Sequence, residues 1–425
     1  MKARYFFCLM ALSVALMVLA PVCSSAKSND FHLKKGAQGA VCLTCHAAFK
    51  VKLKKKFVHT PLKDGNCTGC HNPHTADHGK LLAANPDKIC FTCHDDIVPA
   101  EAKSVHQVAA EGKCVECHDP HASNYEKHLL RPGNKLCFGC HQDMENVGKF
   151  KYSHPPVTDS CLACHNPHAS KDNPKLLNAS SPALCLQCHD SKKKTFKSWH
   201  AGYPVEKGDC TSCHNPHGSN TAGMLYDDVH DPVAKRMCSQ CHEPPTSAKP
   251  FATQRPGYEL CQGCHYNMVN DAFNKGLVHW PIVDQKGCLN CHSPHASMTK
   301  PLLNGTMLQV CGRCHADTIA RQERSQTKHP PIVKGECSDC HSVHSSSNQF
   351  MLNKTSVLDV CGKCHQRQTH STHPIGAKVV DPRNPNLTLD CLSCHRTHGT
   401  RFKHFLQFNG DTNDLCTQCH TQFRR

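Results

Sequence analysis

The pattern Cys-x-x-Cys-His occurs sixteen times in 425 residues, its starts 23 to 30 residues apart, and nothing else constrains the fold as tightly. Eight copies place cysteines at Cys42 and Cys45, Cys67 and Cys70, Cys90 and Cys93, Cys114 and Cys117, Cys137 and Cys140, Cys161 and Cys164, Cys185 and Cys188, and Cys210 and Cys213. The other eight use Cys238 and Cys241, Cys261 and Cys264, Cys288 and Cys291, Cys311 and Cys314, Cys337 and Cys340, Cys361 and Cys364, Cys391 and Cys394, and Cys416 and Cys419. The closing histidines are His46, His71, His94, His118, His141, His165, His189, His214, His242, His265, His292, His315, His341, His365, His395 and His420. Only Cys8 and Cys23 stand outside the motifs. One copy could be a redox dithiol or half a zinc site. Sixteen copies, each ending in histidine, exclude both. Two thiols three positions apart can each add to one vinyl group of a porphyrin, with the adjacent histidine beneath the iron.

Twenty further histidines could supply the opposite axial ligand. Seven lie three residues beyond a motif histidine: His74, His121, His168, His217, His295, His344 and His398. Seven precede a motif: His32, His59, His106, His154, His200, His279 and His329. His373, displaced by an insertion before Cys391, and His230 complete sixteen candidates. His78, His128, His370 and His404 are left over, and methionine ligands are not required. Sequence alone does not say which histidine serves which motif.

The N-terminus reads as an export signal over residues 1–26, with Lys2 and Arg4 before an apolar run and a small-residue cleavage site at Ser24-Ser25-Ala26. A permanent anchor and a lipidated Cys23 are the rival readings of that segment. Only 38% of residues are hydrophobic and 6% aromatic, too little for ordinary apolar cores in a chain of this length. Macrocycles must supply much of the interior. The formal charge of +15 would suit a polyanion partner, but up to two propionates per haem absorb it, so nucleic acid is not expected. Lys52 to Lys56 and Lys192 to Lys194 are candidate docking patches, with solvated faces as the ordinary alternative.

The motifs pair into a longer repeat: Cys67 with Cys90, Cys114 with Cys137, Cys161 with Cys185, Cys210 with Cys238, Cys288 with Cys311, Cys337 with Cys361 and Cys391 with Cys416. On this reading Cys42 and Cys261 stand alone, each opening a series. It predicts a nine-haem region over 27–242, a candidate linker at 243–257 and a seven-haem region over 258–425.

The units resemble the doubled-CXXCH multihaem c-type cytochromes, whose mark is C-x-x-C-H-N-P-H followed by a second C-x-x-C-H. Cys67–His74 with Cys90–His94, and Cys161–His168 with Cys185–His189, carry that resemblance. The expected fold is a multihaem cytochrome c: a haem-packed elongated array of short helices and irregular loops with little or no sheet. The resemblance implies sixteen covalently bound haem c groups and electron transfer in anaerobic or extracellular respiration, without catalysis. It implies an exported protein, periplasmic, outer-membrane associated or extracellular. Its partners would be quinol-linked membrane oxidoreductases, small periplasmic cytochromes, outer-membrane conduits or an extracellular metal acceptor. A reductase with one open-site haem and a conductive filament are the alternatives.

Overall fold

A computed structural model describes residues 37–365 and 373–424. The export signal, His32 and His370 lie outside the described residues. The chain divides into two compact units, Met1–Asp96 with Glu111–Pro132, and Ile97–Ala110 with Gly133–Arg425.

Regular structure is sparse, as the motif spacing and the abundance of Pro, Asn and Gly dictate. The longest described helices, Ala37–Cys45, Tyr266–Asn274 and Ala316–Arg324, have nine residues each. Most motifs form one short turn. In all sixteen the backbone N–H of the histidine donates to the carbonyl of the first cysteine, at 2.8–3.1 Å. That closed turn sets the two cysteines on one face, the geometry of residues three apart on a helix.

Among the described residues, sheet is limited to pairs of very short strands. Phe57–Val58 pairs antiparallel with Ala122–Ser123, and Ser104–Val105 with Ala169–Ser170. Asp228–Val229 pairs likewise with Ala296–Ser297, and Leu277–Val278 with Ser345–Ser346. Each joins the residues just before a pre-motif histidine to those just after a later motif. Within the insertion before Cys391, Val380–Asp381 pairs with Asn384–Thr388.

The polypeptide has almost no core of its own. Ten apolar side chains are buried among the described residues, and Tyr203 is the largest. The chain exposes 30979 Å², whereas a folded protein of 47.0 kDa exposes about 16,000 Å².

The repeat phase differs from the expected one. After one class of motif the chain turns back beside the motif histidine, as at His71 with Leu82, His118 with Leu129 and His165 with Leu177. Both His214, with Leu225, and His242, with Thr253, show this return. Cys238 therefore opens a unit that Cys261 closes, and Cys210 stands alone in place of Cys261.

Candidate haem sites

The return segment orients the motif histidine. His71 Nδ1 donates to the carbonyl of Lys80 at 2.9 Å, and His118 to Lys127 at 2.6 Å. His165, His214, His341 and His395 do the same to Lys175, Gly223, Phe350 and His404. Each of these acceptor residues has a φ between 56° and 70°, the left-handed turn that brings its carbonyl round to the ring. A carbonyl only accepts, so Nδ1 carries the proton and Nε2 keeps its lone pair for a metal. Two leftover histidines find their place here. His128 occupies the second left-handed position after Lys127, and His404 lends its backbone carbonyl to His395.

Among the described residues, thirteen motif histidines face a second imidazole. Pre-motif histidines reach the second motif of their own unit: His59 with His94 at 6.0 Å between ring centroids, His106 with His141 at 6.2 Å, and His154 with His189 at 6.1 Å. His230 with His265, His279 with His315, His329 with His365 and His373 with His420 follow at 6.2–6.3 Å. Post-motif histidines reach back to the first motif of the preceding unit: His121 with His71, His217 with His165, His344 with His292 and His398 with His341, at 6.0–6.1 Å. His295 serves His242 at 5.9 Å. His200 departs from the rule and faces His214, in the motif just after it, at 6.2 Å.

The spacing fits a shared metal. A metal–imidazole nitrogen bond is about 2.0 Å and the centroid lies about 1.1 Å behind that nitrogen, so two imidazoles across one ion stand about 6.2 Å apart. Burial pushes the basicity of His214, His217, His295 and His398 down, favouring the neutral imidazole that ligation requires.

Of the remaining sequence candidates, His74 is exposed, its backbone N–H on Asn72 Oδ1. The carbonyl of His168 accepts the backbone N–H of His106 at 2.8 Å.

The x-Pro-His element also locks the distal side, which sequence reasoning missed. His59 Nδ1 donates to the carbonyl of Pro120 at 2.8 Å, His106 to Pro167 at 2.9 Å, His154 to Pro216 at 2.8 Å and His230 to Pro294 at 2.8 Å. The proline one or two residues after a pre-motif histidine instead starts a helix, as at Pro61, Pro155 and Pro330.

A second missed element is the hydroxyl two residues beyond the post-motif histidine. Ser123 Oγ donates to the carbonyl of Leu129, Ser170 to Leu177, Ser346 to Leu352 and Thr400 to Leu406, at 2.5–2.8 Å. These buried hydroxyls hold the return segment against the motif.

Successive motifs meet at their cysteines in alternation. The first cysteines of neighbouring units touch: Cys42 and Cys67, Cys90 and Cys114, Cys137 and Cys161, Cys185 and Cys210, Cys261 and Cys288. Burial first, then the neighbouring thiol, pushes Cys90, Cys161 and Cys185 up to about 11. Within a unit the second cysteines face each other instead, as Cys70 with Cys93, Cys164 with Cys188 and Cys241 with Cys264. In the larger unit a continuous cavity of about 2870 Å³ runs past the six motifs from Cys288 to Cys416, lined by their cysteines and by five of the histidine pairs.

The family described as the doubled CXXCH motif matches residues 59–98, 106–146, 154–194, 203–229, 230–270, 279–320, 329–370 and 384–425. The chain belongs to this family of multihaem c-type cytochromes, and its cofactor is covalently bound haem c. The match places Cys238 and Cys261 together in 230–270 and Cys210 alone in 203–229, the grouping seen in the fold. The chain is also 35% identical over 159 residues to the multihaem cytochrome MtrA of Shewanella baltica (strain OS185). That stretch covers 36% of this chain and 46% of the relative, so the chain spans less than half of that protein. No described helix is long and apolar enough to cross a membrane.

Proposed function

We propose that the chain binds sixteen haem c groups, one at each motif, and carries electrons between them without catalysing a reaction. The thirteen imidazole pairs, each at the spacing of two ligands on one iron, are the observation that carries this reading. The motif cysteines are the thioether positions, the motif histidines the proximal ligands and their ring partners the distal ones. When bound, each haem supplies a one-electron Fe(III)/Fe(II) couple, and two imidazoles close the iron to substrate in both states.

The polypeptide orders these sites. Cysteine contacts link motif to motif in chain order within each unit, so attachment sites that follow one another in sequence lie against one another. Nδ1 hydrogen bonds to carbonyls hold the imidazole planes and raise their donor strength, which favours the ferric state and low potentials.

Donors would be quinol-linked membrane oxidoreductases or small periplasmic cytochromes. Acceptors would be an outer-membrane conduit, a terminal reductase or an extracellular metal, with the protein exported to the periplasm or beyond.

Low-temperature electron paramagnetic resonance with spin integration on the ferric holoprotein tests the reading. Sixteen low-spin centres are expected. A substantial high-spin population would favour an open-site reductase instead.

A further inference from the structure

The repeat breaks around the Cys210 motif, and five features coincide there. After His242 the chain reads Glu243-Pro244-Pro245, so this unit has no post-motif histidine to reach back to His214. His200, which by the general rule would serve a second motif in its own unit, faces His214 instead. Its Nδ1 donates to Phe196 in its own helix at 2.8 Å, and not to the x-Pro-His turn of a later unit. The missing stitch is supplied by Tyr203, 5% exposed, whose hydroxyl donates to the carbonyl of Glu243 at 2.8 Å. The cysteine alternation breaks as well: Cys213, the second cysteine of its motif, faces Cys238, the first of the next.

The ring planes differ in the same place. His200 and His214 cross at 67°, while eleven of the other twelve pairs lie between 8° and 37°. The remaining crossed pair is His373 with His420 at 59°, serving the last motif. Parallel imidazoles donate π density into one and the same iron d orbital and so stabilise the ferric hole there. Crossed imidazoles divide that donation between two orbitals and stabilise the ferric state less.

We propose that His200 makes the Cys210 site a crossed-imidazole centre of raised potential, an electron-holding step between the motifs that open at Cys185 and Cys238. The proposal rests on the bis-histidine reading above. Reduction at this site takes up one electron from a reduced neighbouring centre, which is oxidised in turn. Tyr203 is a positioning residue, fixing the junction that His200 no longer ties.

The test is electron paramagnetic resonance of the frozen ferric holoprotein combined with a redox titration. Crossed imidazoles give a strongly anisotropic low-spin signal, distinct from the rhombic signal of near-parallel pairs. The wild type should show it at an intensity of at least two centres, and it should be reduced ahead of most of the rhombic signal. His200→Ala should remove one centre's share of it, add one high-spin centre and revert to low spin with free imidazole. His217→Ala, which breaks a near-parallel pair, should leave it intact. A wild type with only rhombic low-spin signals overturns the proposal, as does an anisotropic signal that survives His200→Ala undiminished or is reduced last. Should His200→Ala yield no holoprotein, the wild-type integration and titration order still decide. Extensive high-spin signal in the wild type would instead overturn the bis-histidine reading beneath it.

Discussion

His59 Nδ1 lies 2.8 Å from the carbonyl oxygen of Pro120, 61 residues along the chain, while its ring stacks 6.0 Å from that of His94. One side chain thus fastens its unit to the next and presents Nε2 toward a motif histidine. The same double use recurs at His106, His154 and His230. Ligand geometry and unit-to-unit packing are therefore one feature, and haem binding and folding must be coupled.

Removal of that imidazole separates ligand histidines from the others. His59→Ala should convert one centre from low to high spin and let it bind carbon monoxide when reduced. His78→Ala should change neither property, since among the described residues His78 belongs to no ring pair. Ferric spin counting and carbon monoxide difference spectra check both variants.

Close approach of successive motifs depends on a glycine. Gly112 has φ +66°, and a Cβ there would stand 2.3 Å from the carbonyl oxygen of Asp87. The clash would force apart the turns that bring Cys90 and Cys114 into contact. Gly112→Ala should destabilise the holoprotein by more than about 1 kcal/mol and weaken magnetic coupling between those two centres. Gly79→Ala, with nothing within 4 Å, should do neither. Thermal melts and relaxation-enhanced paramagnetic resonance report the two effects.

The hairpin before Cys391 carries an acid-sensitive ion pair. Arg383 donates to both oxygens of Asp381, at 2.9 and 2.6 Å, and holds its carboxyl down at about 2, against an ordinary value of 3.8. Asp381 is 3% exposed, so the shift corresponds to about 2 kcal/mol. Because the folded value is depressed, this stability is complete above pH 3.8 and is lost as pH falls toward 2. Asp381→Asn should melt lower than wild type at neutral pH, and the difference should close across that window. A difference that persists at pH 2 would contradict the assignment.

Ser123 Oγ donates to Leu129 and accepts the backbone N–H of Tyr125 at 3.0 Å, at 3% exposure. Ser123→Ala leaves both backbone groups unsatisfied and should cost about 1–3 kcal/mol. Ser123→Thr should recover most of it, since Thr400 makes the equivalent bond. Melting of the two variants checks the pattern.

Much of this was legible in the sequence because covalent haem chemistry fixes residue types at fixed local spacing. The sixteen motifs and the two classes of candidate histidine are such patterns. Ring partners were not legible, since His59 and His94 or His71 and His121 meet only through folding. The repeat phase was misread at Cys210 because the missing post-motif histidine after His242 made Cys238 look like a closing motif. Its 23-residue interval to Cys261, the spacing from Cys67 to Cys90, was the signal that could have found it. The Ser or Thr two residues beyond the post-motif histidine was equally visible, but its purpose depends on a carbonyl that only the return turn brings near. His128 and His404 looked like spare ligands because their backbone conformation cannot be read from residue type.

Anomalous diffraction at the iron absorption edge on holoprotein crystals locates each iron against its two imidazoles. An iron midway between the rings of each of the thirteen pairs is expected, about 2.0 Å from both Nε2 atoms. Irons bound to the motif histidines alone, with the facing imidazoles turned elsewhere, would contradict it.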